Sequence, residues 1–245
     1  MDNYLLFRLY GPLASWGETA VGEMRPSAAW PGRSAILGLL AAALGVRRDE
    51  EARQRALAQS YGVAVCVESS GELLRDYHTT QVPPERRGVV HRTRRDELTT
   101  EGLNTILSQR DYRCDALYTV ALWQKEGTTE NLSQLAEALL CPIFPLYLGR
   151  KSCPVALPLA PQLVPAASLR EAFAKASFPD DAFLADLPMA DERLFIWENM
   201  PRSGMEALHV GPRRDEPITR KRWQFGEREE YYRSESRHAA TGRNV

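Results

Sequence analysis

The chain has 245 residues, of which 44% are hydrophobic and 26% are charged, and its formal net charge at pH 7 is −1. This composition is that of a globular protein with one large hydrophobic core and at most a small second one. No apolar run approaches the roughly 20 residues of a membrane-spanning helix, and the N-terminus lacks the basic lead of a secretion signal, so we expect a cytoplasmic protein without membrane contact.

The first predicted elements are a strand and a buried helix. In residues 4–9, Leu5, Phe7 and Leu9 alternate onto one face, which is typical of a β-strand. Residues 35–44 are almost wholly apolar and therefore predict a buried helix, which Gly45 can close in a left-handed conformation.

The same patterns predict a mixture of helices and strands further along the chain. Before residue 149 these are a helix at 49–60, strands at 63–67 and 116–123, a helix at 131–140 and a final strand at 143–148. Frequent prolines after residue 154 indicate a linker-like stretch. It contains a helix at 169–176, a strand at 193–198 and a basic, aromatic tail at 211–237.

The order of these elements predicts the fold class. Without residues 70–114 it is strand, helix, strand, strand, helix, strand, which is the order of a ferredoxin-like (RRM-like) βαββαβ domain. Residues 70–114 interrupt a strand hairpin, so this arginine-rich insertion is expected to project as a β-hairpin thumb. We therefore predict an α+β protein with a ferredoxin-like domain over 1–150, which includes the thumb, and a small irregular C-terminal region over 151–245.

Two turns combine glycine with basic side chains. In residues 31–34, Arg33 stands at the start of the buried helix, whose free amides and dipole attract anions, and Ser34 can cap those amides. The second turn contains Gly149, Arg150, Lys151 and Ser152. Neither turn has the spacing of a nucleotide-binding P-loop. Two separate phosphate sites indicate a polyanion rather than a single nucleotide.

Charged residues are segregated along the chain. Lys and Arg outnumber Asp and Glu in residues 1–48, 75–113, 149–180 and 202–245, and the reverse holds in 49–74, 114–148 and 181–201. Separate basic and acidic surfaces suit a protein that holds RNA on one side and protein neighbours on others. Ordinary solvated faces are the alternative explanation.

RNA contact is expected from loops, because the glycine-aromatic signature with which RRM sheets bind RNA is absent. Trp16, Tyr77 and His78 are candidates to stack on unpaired bases or hydrogen-bond to them, although Trp16 could equally pack within its own domain. The arginines that could bind phosphate outside the two turns are Arg25, Arg92, Arg94 and Arg95.

Support for catalysis is confined to Tyr77 and His78, a phenol beside an imidazole that a metal-free ribonuclease could use to activate a ribose 2′-hydroxyl. No second acid or base accompanies them, since His91 lies among thumb arginines and His209 and His238 are isolated. No residue spacing indicates a metal site, and no cofactor is predicted. The four cysteines form no Cys-x-x-Cys pair and are expected to be buried free thiols.

Five separated motifs together resemble the CasD family. They are the N-terminal strand with its Gly11-Pro12 pair, Pro31-Gly32-Arg33-Ser34 with its helix, Arg75-Asp76-Tyr77-His78-Thr79, residues 147–154, and Arg214-Asp215-Glu216-Pro217. Members of this family are CRISPR-associated subunits of the type I-E Cascade surveillance complex and belong to the RAMP superfamily. The resemblance extends to about Tyr232.

This resemblance implies a non-catalytic subunit that binds the 5′ handle of the CRISPR guide RNA, caps the backbone subunits, and kinks the guide with its thumb at the handle-spacer boundary. Its partners would be the guide RNA and the backbone, large and other Cascade subunits, with target DNA contacted at most indirectly. The matching motifs imply that Arg33, Ser34, Gly149, Arg150, Lys151 and Ser152 contact RNA.

Three functions therefore remain open. The first is this guide-RNA-binding subunit. The second is a metal-independent endoribonuclease that cleaves CRISPR repeat RNA through His78, as a relative in type I-C cleaves the repeat. The third is a protein-bridging scaffold without RNA contact, which would suit the acidic segments and the near-neutral net charge.

Overall fold

A computed structural model of the chain describes residues 1–125, 131–179 and 182–237. Its helices are α1 (Arg33–Ala43), α2 (Glu51–Ser60), α3 (Arg94–Leu98), α4 (Leu132–Leu140) and α5 (Leu169–Lys175), with a 3₁₀ turn at Ala182–Asp186. Its strands are β1 (Asp2–Ala14), β2 (Trp16–Gly17), β3 (Met24–Arg25), β4 (Ser27–Ala28), β5 (Tyr61–Ser69), β6 (Glu72–Val82), β7 (Asn104–Gln124), β8 (Gln162–Ala166), β9 (Glu192–Trp197), β10 (His209–Thr219) and β11 (Gln224–Ser236). None of the helices in these described ranges has the length and apolar character needed to cross a membrane.

Most strands belong to one large sheet with the order β10-β11-β9-β5-β7-β1-β8. All neighbours along this order are antiparallel. Two further strands pair with β7 outside this order, β6 antiparallel and the short β3 parallel. The prediction of an α+β protein is thereby confirmed, with a large antiparallel sheet as its centre.

The middle of the sheet has the predicted order of elements. Strands β8, β1, β7 and β5 lie side by side, α1 and α2 connect β1 to β5, and α4 lies between β7 and β8. The predicted helices at 35–44, 49–60, 131–140 and 169–176 are confirmed to within two residues as α1, α2, α4 and α5. Gly45, with a φ of +69°, closes α1 as predicted.

Both faces of the sheet are buried. On one face, Leu5, Phe7 and Leu9 of β1 pack in a core with α1 and α4. On the other face, Tyr4 and Leu6 pack with α5. Because successive strand residues face opposite sides, a strand covered on both sides is apolar at almost every position. β1 is such a strand, and it continues through the Gly11-Pro12 pair to Ala14.

The predicted strand at 143–148 is wrong. The amides of Ile143 and Phe144 instead donate to the carbonyls of Ala43 and Ala42, at 3.0 and 3.1 Å. The Ala43 carbonyl ends α1 without a partner inside the helix, and the Ala42 carbonyl accepts from Phe144 in addition to Gly45. Residues 143 and 144 are thereby held against the helix end instead of joining the sheet. The fourth central strand is β8, which lies in the stretch predicted to be a linker, and its Pro165 is tolerated because β8 is an edge strand.

The C-terminal strands join the same sheet as the N-terminal ones. β8 extends it at one edge and β9, β10 and β11 extend it at the other. Strands from both sides of residue 150 therefore share one sheet, and the division into two regions at that residue stays a prediction. Residues 238–245, at the end of the predicted C-terminal region, lie outside the described residues.

The predicted insertion contains a long hairpin. β6 pairs with the first half of β7 without interruption, from Glu72 opposite Cys114 to Val82 opposite Asn104. α3 lies at its far end, and most side chains along it are exposed. Since β7 continues from this long hairpin into the centre of the sheet, a single strand determines the direction in which the hairpin leaves the core.

The four cysteines are free, as expected, but they are not all buried. Cys66 and Cys153 are buried, Cys114 is partly exposed and Cys141 is exposed at the C-terminal end of α4. Burial raises the pKa of the Cys66, Cys114 and Cys153 thiols, which further lowers their reactivity at neutral pH.

We expect Ellman's reagent to modify one thiol rapidly in the native protein, the partly exposed Cys114 more slowly, and the two buried thiols only in denaturant. The rapid phase should belong to Cys141, because only exposed thiolates react freely. Stopped-flow absorbance of native protein and of Cys141→Ser tests this. A rapid phase that persists in Cys141→Ser would contradict the packing described for the other three cysteines.

Candidate nucleic-acid interface

The N-terminus of α1, predicted to hold a phosphate, is occupied by a carboxylate of the protein itself. The backbone amide of Arg33 donates to Oδ2 of Asp215 at 2.6 Å. The residue before it, Gly32, makes this approach possible, since a Cβ there would lie 2.5 Å from the same oxygen. The carboxylate satisfies the positive end of the helix, so this turn does not offer the predicted anion site.

Arg33 itself is buried, with 1% of its surface exposed, which corrects its prediction as an RNA-binding residue. Its guanidinium forms ion pairs with Glu198, which follows β9, and with Glu216 of β10 at 2.6 Å. It also donates to the carbonyls of Ala58 and of Tyr61, the latter at 3.0 Å. The side chain therefore joins α1 and the end of α2 to the C-terminal strands.

The charged groups around Arg33, which we call the Arg33 joint, continue into β11. Asp215 accepts from Nε of Arg228 at 2.6 Å, and Glu230 pairs with Arg213 at 3.1 Å and with Arg228 at 2.5 Å. These groups are largely buried. Charges taken out of water are tolerated only when each has a partner, so the removal of one member leaves another uncompensated.

Ser34 does not cap α1, as the sequence had suggested. The N-cap position belongs to Gly32, and no side chain of the helix caps it. Ser34 is half-buried, and its carbonyl accepts from Nη2 of Arg220 at 2.6 Å.

Trp16 is buried, with 2% of its surface exposed, so in this structure it cannot stack on a base. Its ring packs edge-on against Tyr118, with ring centres 5.7 Å apart. The ribbon of β2 and β4 holds its backbone, since the Trp16 amide donates to the Ser27 hydroxyl at 2.9 Å. The alternative of packing within the domain is the one observed.

The second basic turn is a tight loop held against the end of β1. The Leu148 amide donates to the Cys153 carbonyl at 2.7 Å, and the Cys153 amide donates to the Arg150 carbonyl at 2.9 Å. Gly149 has a φ of +87°, and a Cβ there would lie 1.8 Å from the carbonyl oxygen of Ser15. Only glycine fits this position. Lys151 and Ser152, which follow, are exposed.

Arg150 connects this turn to the base of the long hairpin. Its guanidinium lies 4.7 Å from the centre of the Tyr112 ring and donates to the carbonyl of Arg25 at 3.1 Å. Arg25 in turn lies opposite Arg110 in the pairing of β3 with β7. We call Arg25, Arg110, Arg150 and Lys151 the hairpin-base cluster.

Pairing along the long hairpin separates two neighbouring candidates. Tyr77 lies opposite Gln109, and His78 lies opposite Ser108. Because adjacent strand residues point to opposite faces, His78 shares the face of Asp76 and Arg110, whereas Tyr77 occupies the other. His78 contacts the Asp76 carboxylate, and Tyr77 is 57% exposed. The two side chains therefore do not converge on one reacting group.

The thumb arginines form a separate group at the far end of the hairpin. Arg92, Arg94 and Arg95 are exposed, and Arg94 pairs with Glu97 at 2.6 Å. β6 advances six residues from Asp76 to its end, which corresponds to about 20 Å along the hairpin. RNA contact by these arginines stays a prediction. Of the other histidines singled out in the sequence, His238 lies outside the described residues.

Arg110 and Tyr112 were not singled out from the sequence. The signal that identifies them is the pairing of β7, which places Arg110 opposite Arg25 and Tyr112 beneath Arg150. Alternation within residues 104–114 would have predicted which of these residues share a face. It could not have predicted that β3 and the second turn lie next to that face.

The chain matches known proteins over most of its length. Residues 4–231 match the model of the family described as CRISPR-associated protein (Cas_Cas5). The chain is 40% identical over 167 residues to the CRISPR system Cascade subunit CasD of Escherichia coli (strain K12), which corresponds to 65% of this chain and 70% of that protein.

Two solved structures share the fold. A chain of a structure titled "CRISPR RNA-guided surveillance complex" aligns with 95% of this chain and 90% of its own length, at a TM-score of 0.66 and 24% identity. A chain titled "Crystal structure of Cas protein" aligns with 95% of this chain and 94% of its own, at a TM-score of 0.56 and 26% identity.

Replacement of Arg33 should destabilise the fold strongly. In Arg33→Met, Glu216 loses its partner, Glu198 keeps only the partly exposed Lys125, and the carbonyls of Ala58 and Tyr61 lose a buried donor. We therefore expect the free energy of unfolding to fall by about 3–5 kcal/mol. Urea denaturation measures it. The matched control is Arg53→Met, which removes an exposed ion pair with Glu50 and should change stability by less than about 1 kcal/mol. Equal losses in the two variants would contradict a structural role for Arg33.

The close approach of Gly149 to β1 predicts a second stability effect. Gly149→Ala should lower the free energy of unfolding by about 3 kcal/mol, because the new Cβ meets the Ser15 carbonyl in addition to the strain of a positive φ. Gly88→Ala is the control, since Gly88 has a φ of +82° and open space around it, and it should cost about 1 kcal/mol. Similar urea midpoints would show that the contact with Ser15 is dispensable.

Proposed function

The chain belongs to the CRISPR-associated Cas5/CasD family, and from that premise we propose that it is the subunit of a type I-E Cascade complex that holds the 5′ handle of the guide RNA. The observation that carries this proposal is the hairpin-base cluster. It gathers basic side chains from β3, from β7 and from the turn at 149–152 on one side of the long hairpin.

The charge of the hairpin-base cluster is unbalanced. Within the described residues, none of its four side chains forms an ion pair with a carboxylate. Asp76, which lies opposite Arg110 on the same face, contacts His78 instead. Asp111, on the opposite face of β7, is held by Arg75 at 2.8 and 3.0 Å, a contact that lowers the pKa of the carboxyl group. Positive charges without internal partners are the groups that bind phosphate oxygens.

The cluster is also partly ordered before any ligand binds. The Arg150 guanidinium is held between the Tyr112 ring and the Arg25 carbonyl, and the loop that carries Lys151 is closed by its own hydrogen bonds. A guanidinium stacked on an aromatic ring gives up less rotational freedom when it binds an anion. This arrangement supports Arg25, Gly149, Arg150, Lys151 and Ser152 as handle contacts, with Arg110 added.

The long hairpin supports the proposed role of a thumb. We assign β8, β1, β7 and β5 with their helices to the ferredoxin-like class and the long hairpin to its thumb. The thumb would lie across the guide at the handle-spacer boundary and kink it there, with Tyr77 and the arginines at 92, 94 and 95 facing the strand. Backbone, large and other Cascade subunits would cover the remaining faces in the cytoplasm.

The proposed role is non-catalytic. General acid-base cleavage of RNA requires two groups within reach of one ribose and its phosphate, and Tyr77 and His78 point to opposite faces of β6. His78 is moreover engaged by Asp76. The alternative function is that of a metal-independent endoribonuclease. The binding experiment described next would also reveal cleavage of the RNA.

The test is binding of labelled handle RNA by the purified full chain in EDTA, at low and moderate salt. Lys151→Glu and Arg110→Glu should each weaken binding by about 1–3 kcal/mol, because each loses a charge-assisted contact and gains repulsion. Lys175→Glu is the control, since Lys175 lies on α5, across the sheet, in an exposed ion pair. It should leave the affinity unchanged.

Each alternative predicts a different result of this experiment. Unchanged affinity in both variants would remove the hairpin-base cluster from the RNA site. A discrete product on a denaturing gel, lost in His78→Ala, would identify a ribonuclease. No complex even at low salt, where phosphate contacts are strongest, would identify a protein-bridging scaffold.

A further inference from the structure

The hairpin of β10 and β11 ends in a second basic surface, next to α1. We call it the basic tip, and it consists of Arg48, Arg220, Lys221, Arg222 and Trp223. Lys221, Arg222 and Trp223 form the exposed turn between the two strands, and Arg48 reaches it from the loop after α1. No residue of the basic tip belongs to the hairpin-base cluster, and none is among the proposed handle contacts.

Trp223 is presented to solvent in an unusual way. Its ring is 54% exposed, and its φ is +51°, a left-handed conformation that is rare for a bulky residue and marks local strain. The Arg48 guanidinium lies 4.4 Å from the ring centre, and the Phe225 ring lies 6.0 Å away. Neighbours on two sides thus orient the ring while more than half of its surface stays free.

The basic tip carries several positive charges. In the described parts of the chain, no carboxylate lies within ion-pair distance of Arg48, Arg220, Lys221 or Arg222. Arg220 is additionally held over α1, where it donates to the Ser34 carbonyl at 2.6 Å. Burial lowers the pKa of its guanidinium, and the nearby charge of Arg48 lowers it further. A bound anion would relieve this repulsion.

An exposed indole among unpaired arginines favours single-stranded nucleic acid over other ligands. Bases stack on aromatic rings irrespective of sequence, and the charges beside the ring neutralise the phosphates that accompany each base. The basic tip and the segment that leads into the second turn both pack on α1. Arg220 donates to the Ser34 carbonyl near the start of this helix, and the amides of Ile143 and Phe144 donate to the carbonyls at its end. A strand that leaves the second turn along α1 would approach the basic tip.

We propose that the basic tip is a second contact for single-stranded RNA, in which one base stacks on Trp223 and the flanking phosphates bind Arg48, Arg220, Lys221 and Arg222. This inference rests on the proposed function, since it takes the guide RNA as the strand that reaches the turn. It adds a binding site at the tip of the C-terminal hairpin.

Photo-crosslinking tests the stacked base. The probe is handle RNA in which 5-iodouridine replaces one pyrimidine at a time, bound to the full chain and irradiated. At one or two adjacent positions we expect a crosslink in the peptide that contains Trp223. Trp223→Leu should abolish this crosslink and weaken binding about tenfold. Crosslinks confined to peptides of the long hairpin would overturn the proposal.

The salt dependence of binding tests the phosphate contacts with variants whose side chains are exposed, so that folding is preserved. The double variant Lys221→Gln/Arg222→Gln should reduce the slope of log Kd against log salt by about 0.7 for each phosphate contact that is lost. The control, Lys175→Gln/Arg202→Gln, removes the same charge from exposed ion pairs elsewhere and should leave the slope unchanged. An identical slope in both double variants would overturn the proposal.

The two proposals fail in distinguishable ways. If Lys151→Glu weakens RNA binding and every basic-tip variant binds as the native chain does, only the second contact is overturned. If the native chain binds no handle RNA at low salt, both proposals are overturned. Loss of a protein partner from the assembled complex in Trp223→Leu, with RNA affinity unchanged, would show that the basic tip docks protein and would overturn the RNA contact.

Discussion

The architecture depends on one buried guanidinium, that of Arg33. It stands at the start of the apolar helix α1 and pairs with Glu198 and Glu216, which are contributed by the last third of the chain. A charge in this position is stable only with its partners in place. Proper docking of the C-terminal strands on the N-terminal domain is therefore a condition for burying the first helix, and the sheet is completed across the whole chain.

This joint also determines where an anion can bind. Asp215 occupies the helix N-terminus that would otherwise attract phosphate, so the positive charge available to a ligand lies on the outer surface. Two groups of arginines differ in this respect. Those of the joint, such as Arg33 and Arg228, are buried and paired, whereas those of the hairpin-base cluster and the basic tip have no carboxylate partner among the described residues. Only the arginines of the hairpin-base cluster and the basic tip can bind phosphate in place of water without breaking an internal ion pair.

The long strand β7 relates these surfaces to one another. Its second half lies in the centre of the sheet and its first half forms one side of the long hairpin, so Arg110 and Tyr112 have a fixed position relative to the core. The turn at 149–152 is held on the same region by the contact of Gly149 with Ser15. An RNA strand that binds there, as proposed, would meet a preformed surface, and ordering of that surface would cost little of the binding free energy.

The sequence by itself determined the helices, most of the central strands, their order and the family. These features rest on local periodicity and on motifs, which are readable without knowledge of distant partners. The tertiary structure alone decided the roles of individual side chains. Arg33 and Trp16 have the chemistry of RNA-binding residues, yet both are buried, because Asp215 and Tyr118 reach them from positions far away in the chain. Burial and pairing of a polar or aromatic side chain depend on contacts between distant segments, and no local pattern encodes them.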